Sequence, residues 1–198
     1  MEKYINSIEK SKDYYISLAL EYSGLFETRL DYFVFVNCVI NRAMNINRGF
    51  ISLTKDNNYT CAIPLMRMMI DNCLRLWGIT LVDNTHDYIR VWINGEKIAS
   101  LKAKNGKKLT DSYLSKEFDI LYHGIDKTYK NACAFVHLSD QSLFMTAKRG
   151  DGIKRIDMHI NGYDNLSDDV KCNIDKWMLY FNNVFIDIIR SIFPRNNK

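Results

Sequence analysis

The sequence predicts a mainly α-helical protein: a bundle of about six helices with one β-hairpin inserted near the C-terminal helix. Three observations carry this. The 198 residues hold two prolines and nine glycines, too little punctuation for the many tight turns of an all-β chain. Apolar residues recur at helical spacing over most of the length. Around residues 142–161 the period changes to two: Ile156, Met158 and Ile160 alternate with Arg155, Asp157 and His159, as in a half-buried strand. There is no repeat, low-complexity tract or linker, so residues 1–198 read as one domain, long enough to bury a sizeable core.

Residues 3–22 form the first helix, with Tyr4, Ile8, Tyr15, Leu18 and Tyr22 on its apolar face. A second amphipathic run from Leu25 to Lys55 places Phe26, Leu30, Phe33, Ile40, Met44 and Ile51 near helical spacing. Thr60 caps the next helix, and Pro64 falls in its first turns, where a missing N–H is tolerated. That helix, to about Leu81, is apolar nearly all round, which marks a central one. A shorter helix starts at Asn84 or Thr85 and stops at Asn94-Gly95. Residues 96–110 read as a mobile basic loop; helices follow at 111–121 and 124–138. Arg149-Gly150-Asp151-Gly152 turns the hairpin. Ser167 caps the last helix, whose core stripe is Val170, Ile174, Trp177, Phe181, Val184, Ile188 and Ile192.

Composition narrows the function classes. The net charge is +4, too small to require a nucleic-acid partner by itself. Five cysteines, an odd number with no Cys-x-x-Cys pair, suit free thiols in a reducing compartment. No secretory signal and no stretch of membrane-spanning length is present, so a cytoplasmic protein with no membrane association is the expectation. Phosphate-loop, His-Glu-x-x-His, paired-cysteine and Gly-x-Ser-x-Gly signatures are all missing. Cys133 and His137 stand four apart, but two ligands do not make a metal site. No metal and no cofactor is expected.

Two segments carry candidate chemistry. Arg67, Asp71 and Arg75 are spaced i, i+4, i+8, which spans only about 80° of a helix surface. Buried arginines need pairing, so one reading is an ion-pair ladder in which Asp71 ties two arginines. The other is an anion site, since guanidinium forks suit phosphate. The second segment is Tyr129 to Ser139, where helical spacing gathers Lys130, Asn131, Cys133, Ala134 and His137. His137 is there either a satisfied core or capping histidine or a general acid/base with a pKa near neutrality.

The pattern Leu65-Met66-Arg67-x-x-x-Asp71, followed by Tyr129-(x)7-His137-x-Ser139, resembles uncharacterised bacterial helical proteins related to the HEPN superfamily, over roughly residues 25–140 plus the last helix. HEPN proteins are small helical bundles. Many are metal-independent ribonucleases of defence systems, with a composite site at a dimer interface built on an Arg-(four to six residues)-His motif. His137 falls where the motif histidine belongs. Lys130, Asn131 and Ala132 occupy the positions open to the motif arginine, and only Lys130 is basic.

The resemblance implies a defence-associated, RNA-processing homodimer. In it His137 acts as acid/base, and Arg67, Arg75 or Lys130 contacts phosphate, with Asp71 holding the guanidinium groups. Two basic stretches would gather RNA: Lys97, Lys102, Lys104, Lys107 and Lys108, then Lys148, Arg149, Lys154 and Arg155. The alternative is a module without turnover, either an interaction partner using the tyrosines of the first helix or a nucleotide-binding bundle using the Arg67/Asp71/Arg75 strip.

Overall fold

Seven α-helices make up the described part of the molecule: α1 (Glu2–Ser23), α2 (Leu30–Lys55), α3 (Tyr59–Gly78), α4 (Thr85–Ile93), α5 (Asp111–Leu121), α6 (Ile125–Ala134) and α7 (Asp168–Ile192). The structure, a computed structural model, describes residues 2–23, 30–137, 145, 147–149, 156–158, 162 and 164–193. Buried side chains from all seven helices join in one hydrophobic cluster. Helix α3 is its centre. It packs against α2, α5, α6 and α7 and buries residues around most of its circumference, among them Ile63, Met66, Met69, Ile70, Leu74 and Trp77, as its all-round apolar pattern requires.

The hairpin expected over 142–161 lies largely outside the described residues. Within them, β1 (Ala147–Arg149) pairs antiparallel with β2 (Ile156–Met158), Lys148 opposite Asp157. This is a local ladder of three residues a side; the packed layers of the fold are helical.

Capping explains the helix starts. Asn58, not Thr60, caps α3, its side chain accepting from the Cys61 N–H. Thr60 instead donates its backbone N–H to Asp164 at 2.7 Å and its hydroxyl to the same carboxylate. Asn84 caps α4, Thr110 caps α5 and Ser167 caps α7. Helix α6 ends at Ala134, earlier than its apolar pattern suggests, and residues 135–137 form a turn beyond it.

Two buried faces differ in part from the expected stripes. In α2 the core side is Phe35, Val36, Val39, Ile40, Ala43, Ile46, Asn47 and Phe50, whereas Leu30 and Phe33 are exposed. In α7 it is Asp175, Met178, Phe181, Asn182, Val184, Phe185, Ile188 and Ile189, whereas Val170 and Trp177 are exposed. Both expected stripes counted apolar residues alone. Ile40 in α2 and Phe181, Val184 and Ile188 in α7 are buried as expected, and the faces extend to bury Asn47, Asp175 and Asn182 as well.

Those buried polar groups are bonded across helices. Tyr15 of α1 donates to Asn182 Oδ1 of α7 at 2.7 Å. Asn47 of α2 donates to the same oxygen and to Ser11 Oγ of α1. Of the first-helix tyrosines expected at a partner interface, Tyr15 and Tyr22 are fully buried; they belong to the core.

The basic stretch expected to be a mobile loop is a built arm. Ala103 donates to the Lys107 carbonyl at 2.8 Å and Leu109 to the Leu101 carbonyl at 3.0 Å, around a tip at Asn105-Gly106. Gly106 sits there at φ +80°, backbone that glycine adopts freely. Ile98, Ala103 and Leu109 are buried against the core. Those three apolar anchors, spread among the lysines, hold the arm, while Lys97, Lys102, Lys104, Lys107 and Lys108 all remain exposed.

Candidate functional site

The Arg67/Asp71/Arg75 strip does not stay solvent-facing along α3. It is covered by side chains from α2, α5 and α6, which complete it as a network. Asp71 bridges two arginines, Arg75 Nε at 3.6 Å and Arg42 Nη2 of α2 at 3.6 Å. The second arginine of the expected ladder is therefore Arg42, not Arg67. Arg42 Nη1 also donates to the Met68 carbonyl at 3.3 Å and to Asn72 Oδ1 at 3.2 Å. Asn72 in turn donates to the Val39 carbonyl at 2.9 Å, so α2 and α3 are locked together at this point.

Arg75 reaches outward as well. Its Nη2 pairs with Asp111, the first residue of α5. Nη1 is buried and has no hydrogen-bond partner among the described residues. The Arg75 carbonyl accepts from the Tyr88 hydroxyl of α4 at 2.6 Å. Gly78 makes room for that ring: a Cβ there would lie 2.8 Å from the Tyr88 oxygen. Burial pushes the Tyr88 phenol well above its ordinary pKa, with Arg75 opposing, so it stays a neutral donor.

Arg67 takes a different set of partners. Its Nε donates to Cys133 Sγ at 3.3 Å and its Nη2 to Tyr129 Oη at 3.0 Å, both on α6. The guanidinium also lies over the Tyr129 ring, 5.1 Å from its centroid. Tyr129 donates onward to Asp111 Oδ2 at 3.4 Å. Burial and the Asp111 charge, opposed by Arg67, raise the Tyr129 phenol to about 12. The connected series is thus Arg42, Asp71, Arg75, Asp111, Tyr129, Arg67 and Cys133.

An open cleft of about 630 Å³ lies over one end of this series, between α2, α3 and the α4–α5 connection. Arg42, Arg75 and Lys97 bring three positive charges to its lining, and Asp71, Asp111 and Glu96 three negative ones; Trp92, Val39 and Ile98 supply apolar wall. Arg67 is not among the lining residues, because its guanidinium is turned toward α6.

The remaining candidates sit elsewhere. His137 is exposed in the turn beyond α6 and does not line the cleft. Lys130 pairs with Asp126 on the exposed face of the same helix, and that hydrogen bond holds the Asp126 carboxyl below its ordinary value. Of the arm's lysines, Lys97 alone lines the cleft. Lys104 donates to the Thr80 carbonyl at 3.3 Å, and the Lys107 ammonium stands 5.5 Å from the Tyr113 ring centroid. Lys148 and Arg149 belong to β1, while Lys154 and Arg155 lie outside the described residues.

No family model, no curated protein and no solved structure matches this chain. The site is therefore read from its own geometry. Among the described residues no three His, Cys, Asp or Glu side chains gather as a metal site, and no helix is long and apolar enough to cross a membrane.

The residues that sequence reasoning missed are Arg42, Asp111 and Trp92; Tyr129 was singled out, without its partners Arg67 and Asp111. Asp111 had one local signal, a carboxylate in the first turn after the Thr110 cap, where a helix dipole favours it. Arg42 had none, because its partners on α3 are 26 and 30 residues away.

Proposed function

We propose that this chain is a HEPN-like helical protein that binds a phosphate-bearing ligand, a nucleotide or an RNA phosphate, in the cleft over Arg42 and Arg75. The observation that carries this reading is the convergence of Arg42, Arg75 and Lys97 on one open cleft. Asp71 fixes both guanidinium groups. Preorganised guanidinium forks bind phosphate by charge-assisted hydrogen bonds at little further cost in ordering.

Binding without turnover is favoured over ribonuclease action. Cleavage would need His137 as acid/base next to a phosphate held by Arg67, Arg75 or Lys130. His137 stands outside the cleft lining, Lys130 is committed to Asp126, and Arg67 is committed to Tyr129 and Cys133.

The test is calorimetric titration with pyrophosphate and with nucleoside monophosphates, for the wild type and for Arg42→Ala/Lys97→Ala. A charge-assisted contact contributes about 1.5–3 kcal/mol, so the double variant is expected to bind at least tenfold more weakly. Lys97→Ala alone alters only an exposed side chain and guards against misfolding as the cause. Unchanged affinity in the variants, or no binding by the wild type, would overturn the proposal. Incubation with RNA in EDTA is the companion assay: cleavage that disappears in His137→Ala would replace binding by ribonuclease activity.

A cytoplasmic homodimer goes with this reading. Light scattering is expected to return twice the chain mass, and a monomer at micromolar concentration would remove the dimer from it.

A further inference from the structure

We infer that the base-bearing ligand of this cleft is a guanine nucleotide, read by Glu96 and Trp92. The inference rests on the phosphate-binding reading above and adds the part of the ligand that the phosphate contacts leave open.

Two of the three lining carboxylates are already satisfied. Asp71 is held between Arg42 and Arg75, and Asp111 by Arg75. Glu96 differs: it makes no ion pair among the described residues, and its one side-chain hydrogen bond, from the Asn94 amide, is long at 3.4 Å. On the cationic side, Lys97 projects exposed from the same lip with its ammonium in no ion pair among the described residues. The cleft therefore offers a free carboxylate as well as a free ammonium. A bare phosphate would use only the second.

The lip itself is fixed. At the end of α4, Gly95 donates to the Trp92 carbonyl at 3.1 Å and Glu96 to the Val91 carbonyl at 3.0 Å. Trp92 is half-buried and braced edge-on against Phe35, ring centroids 5.1 Å apart and planes at 88°. An indole anchored in this way is a stacking surface for a flat aromatic ring, and such stacking tolerates any base. Discrimination has to come from hydrogen bonding at the ring edge.

A carboxylate is acceptor-only and presents two oxygens side by side. Guanine presents two adjacent donors, N1–H and the N2 amino group, and pairs with a carboxylate in a fork. Adenine places an acceptor, N1, beside its amino group, so one carboxylate oxygen would face a lone pair. A carboxylate and cations in one cleft lining thus match a guanine base and its phosphate. A volume of about 630 Å³ lies within the range of small-ligand pockets.

The experiment titrates GMP, IMP, AMP and pyrophosphate into the wild type, Glu96→Gln and Trp92→Ala. The wild type is expected to bind GMP at least tenfold more tightly than AMP, with IMP, which lacks the N2 amino group, between them. Glu96→Gln is expected to reduce the GMP preference to within about threefold while pyrophosphate affinity stays unchanged. Trp92→Ala is expected to weaken all three nucleotides at least tenfold while pyrophosphate affinity stays unchanged. Equal GMP and AMP affinities in the wild type, or a preference that survives Glu96→Gln, would overturn the guanine assignment and leave phosphate binding standing. Failure of all four probes to bind would overturn both.

Discussion

Replacing Asn182 with alanine is expected to lower the Tm by roughly 6–12 °C. Asn182 is completely buried on α7. Its Oδ1 accepts from Tyr15 of α1 and from Asn47 of α2, and its Nδ2 donates to the Met178 carbonyl at 2.8 Å. Alanine removes the acceptor that two buried donors share and leaves a small cavity. Each orphaned donor costs about 1–3 kcal/mol, so a total near 3 kcal/mol is reasonable, and a chain of this size loses about 2–4 °C per kcal/mol. The specific control is Tyr15→Phe in the Asn182→Ala background. It removes one orphan, so the double variant should be more stable than the sum of the two single losses predicts. Additive losses, measured by thermal or urea unfolding, would show that the three residues do not act as one network.

The same network shows what was legible in the sequence and what was not. Helix identities were readable because they depend on local period and local caps: Asn84 and Ser167 announced α4 and α7. The phase of a long helix depends on which partners meet it. Phe181, Val184 and Ile188 fit the apolar period of α7 and are buried, but Val170 and Trp177 fit it too and are exposed, while the face takes in Asp175 and Asn182, whose partners Tyr59, Tyr15 and Asn47 come from three other helices. The site divides in the same way. Arg67, Asp71 and Arg75 stood out because their spacing places them on one strip of one helix. That Asp71 would choose Arg42, that Arg67 would turn to Tyr129 and Cys133, and that Asp111 would join Arg75 to Tyr129 are tertiary facts, set by how α2, α5 and α6 dock on α3. The arm at 96–110 illustrates a different omission. Its lysines dominated the reading, but its place is decided by Ile98, Ala103 and Leu109, three apolar side chains too widely spaced to register as a pattern.

Asp175→Asn is expected to stabilise the protein at neutral pH, by up to about 3 kcal/mol, and to have little effect at pH 4. Asp175 is completely buried on α7. Its hydrogen-bond partner is the Tyr59 hydroxyl of α3, at 3.3 Å to one carboxylate oxygen and 3.5 Å to the other. Burial raises its pKa from the ordinary aspartate value to about 6, and the Tyr59 hydrogen bond offsets only part of that. Tyr59 responds in turn: burial, then the Asp175 charge, push its phenol upward. Between pH 4 and pH 6 the folded chain therefore holds a proton that the unfolded chain has released. Stability is highest below the unfolded value, falls as pH rises through that window, and is lowest once the buried carboxylate is charged. About two decades of proton affinity correspond to about 3 kcal/mol. Asparagine keeps the shape and an acceptor for Tyr59 without the charge, so the variant should not show the fall. Urea denaturation of both proteins at pH 4, 5, 6, 7 and 8 decides it. The curves should converge at the acid end and separate progressively above pH 5, with the variant more stable. Parallel curves, or a variant less stable at pH 8, would mean that Asp175 is held as a carboxylate by interactions stronger than the Tyr59 hydroxyl supplies.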